Sequence, residues 1–248
     1  MLGTKIGKRK GHMGDKHNRA QKIYNAWEEL KDEMEGLIIR GHGTSEVARC
    51  AYAMLLLMET GIRSGNKDSA AGYVCDQKHH EQYGKEIKTF GLTTIGTDHI
   101  KLRGRTIYIS FTGKKLVDQS VSTSNPVLVK YLKAVTFHDG KTAFGIHDKQ
   151  LRKFTRKYIG KGFKPKDIRT ALVNRLFINI IENDKVLRQT LHTKKEANAV
   201  MRTMIEKVSE RIGHTKGVCK SSYLSPTLFQ IVKDRLYGNI VKRPRKRK

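Results

Sequence analysis

Acidic residues are scarce in this chain: 23 Asp and Glu stand against 50 Lys and Arg, giving a formal charge of +27 over 248 residues. That excess goes well beyond what solubility requires. It creates a field that concentrates polyanions, and a nucleic-acid duplex gains affinity as lysines and arginines displace its condensed counterions. Cysteine is scarcer still, limited to Cys50, Cys75 and Cys219. The number is odd and the spacing pairs no metal ligands, so neither a disulfide framework nor a structural zinc site is indicated, and a reducing compartment fits. Cys50 lies in an apolar helical run and reads as core; Cys219 reads as a small buried side chain rather than a reactive thiol. The pair His79-His80 finds no partners at ligand spacing, so no metal and no cofactor are expected. Long apolar runs are missing too. MLGTKIGKRKGHMG contains no signal-peptide core, and AYAMLLLM is too short to span a bilayer. The expectation is a soluble intracellular protein without a membrane partner, with nucleoid, cytoplasm and nucleus left open. A hydrophobic content of 38% permits a folded core, so the chain is more than a disordered basic tail. A basic structural protein of the ribosomal kind remains compatible with charge alone.

The length suits one large domain or two small ones. Residues 1–16 are basic, contain glycine, lack hydrophobic periodicity and read as a flexible arm. Across 17–40, Ile23, Trp27, Leu30, Met34 and Leu37 recur every three or four residues, which predicts an amphipathic helix. RGHGT interrupts it. Thr44 is placed to cap a second helix through Met58, apolar on most faces and hence central to a core, with Glu46 in its first turn. Between about 90 and 123 the period changes to two: HIKLRG, RTIYISF and KLVDQSV, separated by the turn formers RGR and TGK, predict a three-stranded antiparallel meander. Asn125-Pro126 opens a further helix. Others are expected near 147–159, 166–183, 194–212 and 226–237. Residues 41–240 form the expected folded body, and 241–248 a charged tail. The fold class is mainly α with a small antiparallel sheet (α+β).

Four short segments carry groups suited to phosphate chemistry. Arg63, in ETGIRSGN, follows the apolar helix between Gly61 and Gly65; glycines there allow a sharp bend and close approach of a large ligand, and a guanidinium can grip two phosphate oxygens. Lys114, in FTGKKLV, stands at a hairpin tip, where a lysine can enter a groove and protonate a leaving oxygen. Its neighbour Lys115 can also reach DNA. Arg169, in KPKDIRTALVN, lies where a helix starts and free amides favour anions, with Lys166 on the same face. His214 and Tyr223, in RIGHTKGVCKSSYLSP, offer a donor for a non-bridging oxygen and, nine residues later, a phenol able to form a covalent phosphoester. Each signal alone also fits an ordinary surface or packing residue. Lys220, Arg243 and Arg245 complete the expected DNA contacts.

In this order, with the intervening sheet, these segments resemble the poxvirus-like type IB DNA topoisomerases, over about residues 44–240. GLTTIGTDHIKL and the Lys-Ser-Ser-Tyr-Leu-Ser-Pro ending add to the likeness. The resemblance implies the catalytic-domain fold shared with tyrosine recombinases. It implies that Tyr223 bonds to a DNA 3′-phosphate and expels a 5′-hydroxyl. Arg63, Arg169 and His214 are then expected to stabilise the phosphorane, and Lys114 to protonate the departing oxygen. The resemblance further implies that religation after strand rotation relaxes positive and negative supercoils without ATP or an obligatory metal. The expected partner is double-stranded DNA, and the expected state a monomer. Tyrosine recombinases share the arginine, the hairpin lysine and the Gly-His to tyrosine spacing, but usually carry histidine where this chain has Lys166. A recombinase and a non-catalytic basic DNA-binding protein stay open as alternatives. Two departures stand out. Poxvirus-like members usually carry a β-rich N-terminal clamp domain where this sequence offers a basic arm and one helix, and Ser69 occupies the place of a family tyrosine for which Tyr73 is the candidate substitute. On that reading, grip on DNA is expected to draw heavily on the basic ends, residues 1–22 and 242–248.

Overall fold

The computed structural model describes residues 15–71, 88–136, 142–183 and 190–241. They fall into two compact units, one ending at Arg169 and the other beginning at Thr170.

In the first unit, residues 15–25 form helix α1 and Trp27–Arg40 form α2. The periodicity predicted one helix here, but Ala26 (φ −98°, ψ 18°) separates two. The buried stripe runs through Ala20, Ile23, Trp27, Met34 and Ile38 rather than Leu37. Residues 15 and 16, grouped with the arm by composition, are already helical. Truncation to residue 22 therefore cuts into packed structure. Helix α3 (Glu46–Thr60) is capped by Ser45, whose hydroxyl accepts from the Ala48 N–H at 3.1 Å, so the cap is one residue beyond the Thr44 expected. Its run of small and aliphatic side chains from Cys50 to Met58 is buried throughout, each large one contributing about 1.5–3 kcal/mol by leaving water. Among them, Tyr52 donates its hydroxyl to the Leu128 carbonyl at 2.9 Å and packs on Phe144. Burial pushes the Cys50 thiol up to about 12, which agrees with a core role.

A short turn, α4 (Lys67–Ala70), is followed by the expected meander: β1 (Ile100–Arg103), β2 (Thr106–Gly113) and β3 (Val117–Thr123), all antiparallel in that order. Ile107, Ile109 and Phe111 point to the core, while Tyr108 and Ser110 between them face water. Asn125 caps α5 (Pro126–Val135), accepting from the Val127 and Leu128 N–H groups, and its own amide donates to Glu35 at 2.9 Å. Helix α6 (Asp148–Tyr158) follows. Helix α7 (Pro165–Asn183) starts in the first unit and ends in the second.

The second unit holds α8 (Lys194–Ile212), a short α9 (Lys216–Ser222) that periodicity missed, and α10 (Pro226–Gly238). Met201, Met204, Ile205, Val208 and Ile212 of α8 supply core, together with Cys219, Leu224, Val232 and Leu236. A parallel bridge between Leu191 and Ile240 fastens the end of this unit. Among the described residues, no helix is long and apolar enough to cross a membrane, and no cluster of three His, Cys, Asp or Glu could hold a metal ion.

His17 on α1 is partly buried, and neither ring nitrogen has a hydrogen-bond partner among the described residues. Burial, and then the charge of Lys16, push its pKa from 6.5 down to about 4. The unfolded chain therefore binds the proton first. The stabilisation is complete above pH 6.5 and disappears as pH falls towards 4. Thermal melts of wild type and His17→Gln should diverge in that window, wild type losing about 1–2 kcal/mol more than the variant after allowance for partial exposure. Parallel pH curves for the two proteins would refute this.

Candidate active site

Helix α3 stops at Gly61, which takes the left-handed conformation (φ 71°) and returns its N–H to the Leu57 carbonyl. Arg63 follows, half-buried, on a loop fastened along its backbone. The Arg63 carbonyl accepts from the Leu92 N–H, and the Ser64 carbonyl from the Thr93 N–H, both at 2.8 Å; the Thr93 hydroxyl donates to Ser64 at 2.7 Å. Gly65 (φ 90°) lies so close to Gly91 that a Cβ on Gly91 would sit 2.6 Å from the Arg63 oxygen and from the Gly65 Cα. The GLTTI segment is thus the support beneath the arginine loop, and glycine is required where the two backbones meet.

Lys114 is exposed at the hairpin tip, in the turn Lys114–Leu116 beyond the Gly113↔Val117 pair. The side chain of Lys115 lies outside those described. Arg169 lies in the first turns of α7 and is buried (3% exposed), whereas Lys166 is exposed. The two do not share one solvent-facing surface. Asp167 and Arg169 are the two charged side chains that are buried among the described residues, and interiors accept charge sparingly.

In the second unit, α8 ends at Gly213 in the left-handed conformation (φ 65°), and the His214 N–H closes back on the Ser209 carbonyl at 2.9 Å. Thr215 caps α9, and Tyr223 terminates it, with the Tyr223 N–H bonded to the Cys219 carbonyl at 3.2 Å. This short helix reverses the chain so that the His214 and Tyr223 rings stack, their centroids 4.5 Å apart and planes 18° off parallel. Tyr223 is 5% exposed. Cys219 is buried, in agreement with its reading as a small buried side chain. Lys220 is exposed, its ammonium 4.6 Å from the Phe229 ring centroid. Arg243, Arg245, Tyr73 and the pair His79-His80 lie outside the described residues.

Sequence reasoning missed Asn174. Its amide nitrogen donates to the Tyr223 carbonyl at 3.1 Å and to the Thr170 carbonyl at 2.7 Å, while its oxygen accepts from the Ser225 N–H at 2.8 Å. One side chain on α7 thereby holds the backbone on both sides of Leu224. Asparagine offers a donor and an acceptor on one short planar group, as this bridge needs. Its place in KPKDIRTALVN, five residues after Arg169, was the only local hint.

A family model described as eukaryotic DNA topoisomerase I, catalytic core, matches residues 8–236. The chain is 30% identical over 162 residues to DNA topoisomerase 1B of Vaccinia virus (strain Copenhagen), covering 64% of this chain and 50% of the relative. It has the same identity and coverage with DNA topoisomerase I of Monkeypox virus, and is 22% identical over 158 residues to DNA topoisomerase 1B of Acanthamoeba polyphaga mimivirus, covering 58% and 47%. The chain spans about half the length of the curated relatives it matches.

Replacing Asn174 with Ala leaves a buried carbonyl at Tyr223 and an N–H at Ser225 without this partner, at a cost of about 1–3 kcal/mol. Urea denaturation of Asn174→Ala should show that loss, with Asn174→Asp no better because it cannot donate to Tyr223. An unshifted midpoint for both would remove the clamp.

Proposed function

The chain belongs to the family of eukaryotic DNA topoisomerase I catalytic cores, and on that premise we propose that it relaxes positive and negative supercoils by type IB chemistry. Tyr223 Oη attacks the scissile phosphorus and loses its proton as the new P–O bond forms. The bond to the 5′-oxygen breaks, Lys114 protonates that oxygen, and a 3′-phosphotyrosine remains. Arg63, Arg169 and His214 neutralise the non-bridging oxygens of the phosphorane, charge that develops mainly in the transition state. The free end rotates, and attack by the 5′-hydroxyl regenerates the strand and the phenol. The phosphoester bond energy is kept in the covalent intermediate, so the cycle needs no ATP. Lys115, Lys166, Lys220, Arg243 and Arg245 are proposed to contact flanking phosphates of double-stranded DNA, which the chain engages as a monomer.

The observation that carries the reading is the stacked His214–Tyr223 pair on the reversal made by α9. A phenol packed on an imidazole, its backbone braced by Asn174, is held in a restricted orientation before any ligand arrives. The fastened, glycine-flanked loop of Arg63, the exposed hairpin position of Lys114 and the excess positive charge support the same chemistry.

The deciding assay uses a negatively supercoiled plasmid in EDTA without ATP. Wild type should give ladders of relaxed topoisomers. Tyr223→Phe should give none while binding DNA almost as tightly, because one oxygen contributes little to a charge-driven contact. Relaxation by the Phe variant, or a covalent adduct mapped to a different tyrosine, rules out the nucleophile; a requirement for paired sites points to a recombinase, and mobility change alone to a binder.

A substrate with a 5′-bridging sulfur, which leaves without protonation, separates the acid from the other cations. It should restore most of the cleavage lost in Lys114→Ala, and little of that lost in Arg63→Ala. Equal rescue of both variants, or rescue of neither, argues against Lys114 as the acid.

A further inference from the structure

Asp167 is the buried charge for which the proposed chemistry has no task, and its partners come from widely separated parts of the first unit. The side chain is 3% exposed. Its Oδ2 accepts from the Lys164 backbone N–H at 3.0 Å and from Arg19 Nε at 2.9 Å, and its Oδ1 accepts from Arg19 Nη2 at 3.4 Å. The first bond is local. As the third residue of α7, Asp167 reaches back to the residue before the first turn, the carboxylate half of a capping box. The second spans 148 residues and comes from α1.

Arg19 arrives on a fixed support, because the neighbouring Ala20 and Ile23 of α1 are 3% and 1% exposed. Lys16, one turn earlier on α1, also feels this neighbourhood: burial and then Lys166 lower its pKa, and Asp167 opposes them. Helix α1 and the first turn of α7 therefore meet through a fork of guanidinium N–H groups on a buried carboxylate. Such pairing tolerates burial when the geometry is good, and loss of one partner is severe because the other charge stays behind. Two residues beyond Asp167, in the same turn, is Arg169, the only other charged side chain buried among the described residues.

We propose that Arg19 is a positioning residue: by pairing with Asp167 it fixes the first turn of α7, and with it the direction in which Arg169 presents its guanidinium. This rests on the reading of Arg169 as a phosphate ligand. Helix α1 is then a working part of the catalytic apparatus, and its contribution is distinct from the charge of the basic segment preceding it. The capping bond and the ion pair are separable, since asparagine at 167 keeps an acceptor for the Lys164 N–H but loses the charge that holds Arg19.

The test uses the full chain, enzyme in excess over negatively supercoiled plasmid, reading the relaxation rate and the SDS-trapped covalent adduct, with affinity for linear DNA of the same sequence measured separately. Arg19→Gln and Asp167→Asn should each slow the saturated rate by about tenfold or more, as small misplacements of a catalytic group do, while affinity changes less than about twofold, below the loss expected for a removed phosphate contact. Arg19→Lys should recover part of the rate. In an Arg169→Lys background, Arg19→Gln should cost little further, because the two act through one guanidinium. Arg152→Ala, which breaks an exposed pair with Asp148, serves as the control and should match wild type. If Arg19→Gln unfolds, Asp167→Asn and Arg19→Lys still decide the matter through the rate-against-affinity split. Wild-type rates in folded Arg19→Gln or Asp167→Asn, or a loss that repeats in full in the Arg169→Lys background, overturn the positioning role. Normal relaxation by Arg169→Ala overturns instead the underlying assignment of Arg169.

Discussion

Burial of opposite charges in the first turn of a single helix is the constraint around which the first unit is built. Asp167 and Arg169 sit two residues apart in an interior otherwise closed to charge among the described residues. A buried carboxylate must be met by donors, and Asp167 obtains them from the helix terminus and from Arg19. That requirement recruits α1, a segment that charge and composition place close to a flexible arm, into the packed body. It also explains why α7 begins abruptly at Pro165: proline needs no N–H at the first position, and Asp167 takes the N–H just before it.

A second device restrains backbone instead of side chain. The Arg63 loop is joined to the GLTTI segment by paired main-chain bonds, and the backbones approach so closely that a single methyl group at Gly91 would collide. In the second unit Asn174 does the equivalent service for Tyr223 and Ser225. In both places a side chain of the candidate site projects from main chain that is held at several points. Lys114 is the contrast, exposed at a hairpin tip. A proton donor to a leaving group has to reach a ligand surface, whereas groups that stabilise charge gain strength from burial and fixed orientation.

The net charge of +27 and the buried arrangement act on different scales. Surface lysines and arginines supply a field that is long-ranged and screened by salt. The Asp167 pair and the His214–Tyr223 stack work at contact distance and are largely insensitive to salt. The proposed chemistry draws on both, since stabilising a phosphorane takes several cations, only some of which can face solvent.

Much was legible in the sequence because it depends on local periodicity. The period-two run predicted the three strands of the sheet, Asn125-Pro126 marked a helix start, and the extents of α7, α8 and α10 were read to within a residue. The ordered segments around Arg63, Lys114, Arg169, His214 and Tyr223 were enough to show the family resemblance. Other features were invisible because they arise from contacts distant in sequence. No local pattern tells whether Arg169 is buried or Lys166 exposed, since three-residue spacing puts them on one side of a helix without saying where the interior lies. Nor could it assign Asn174, whose partners lie 49 and 51 residues away, or Arg19, whose partner lies 148 away. Periodicity, capping residues and composition reveal which elements form and which chemical groups are available. Which charges leave water and which side chains hold them emerges on folding, because the free energy of a buried polar group depends on every partner folding brings to it.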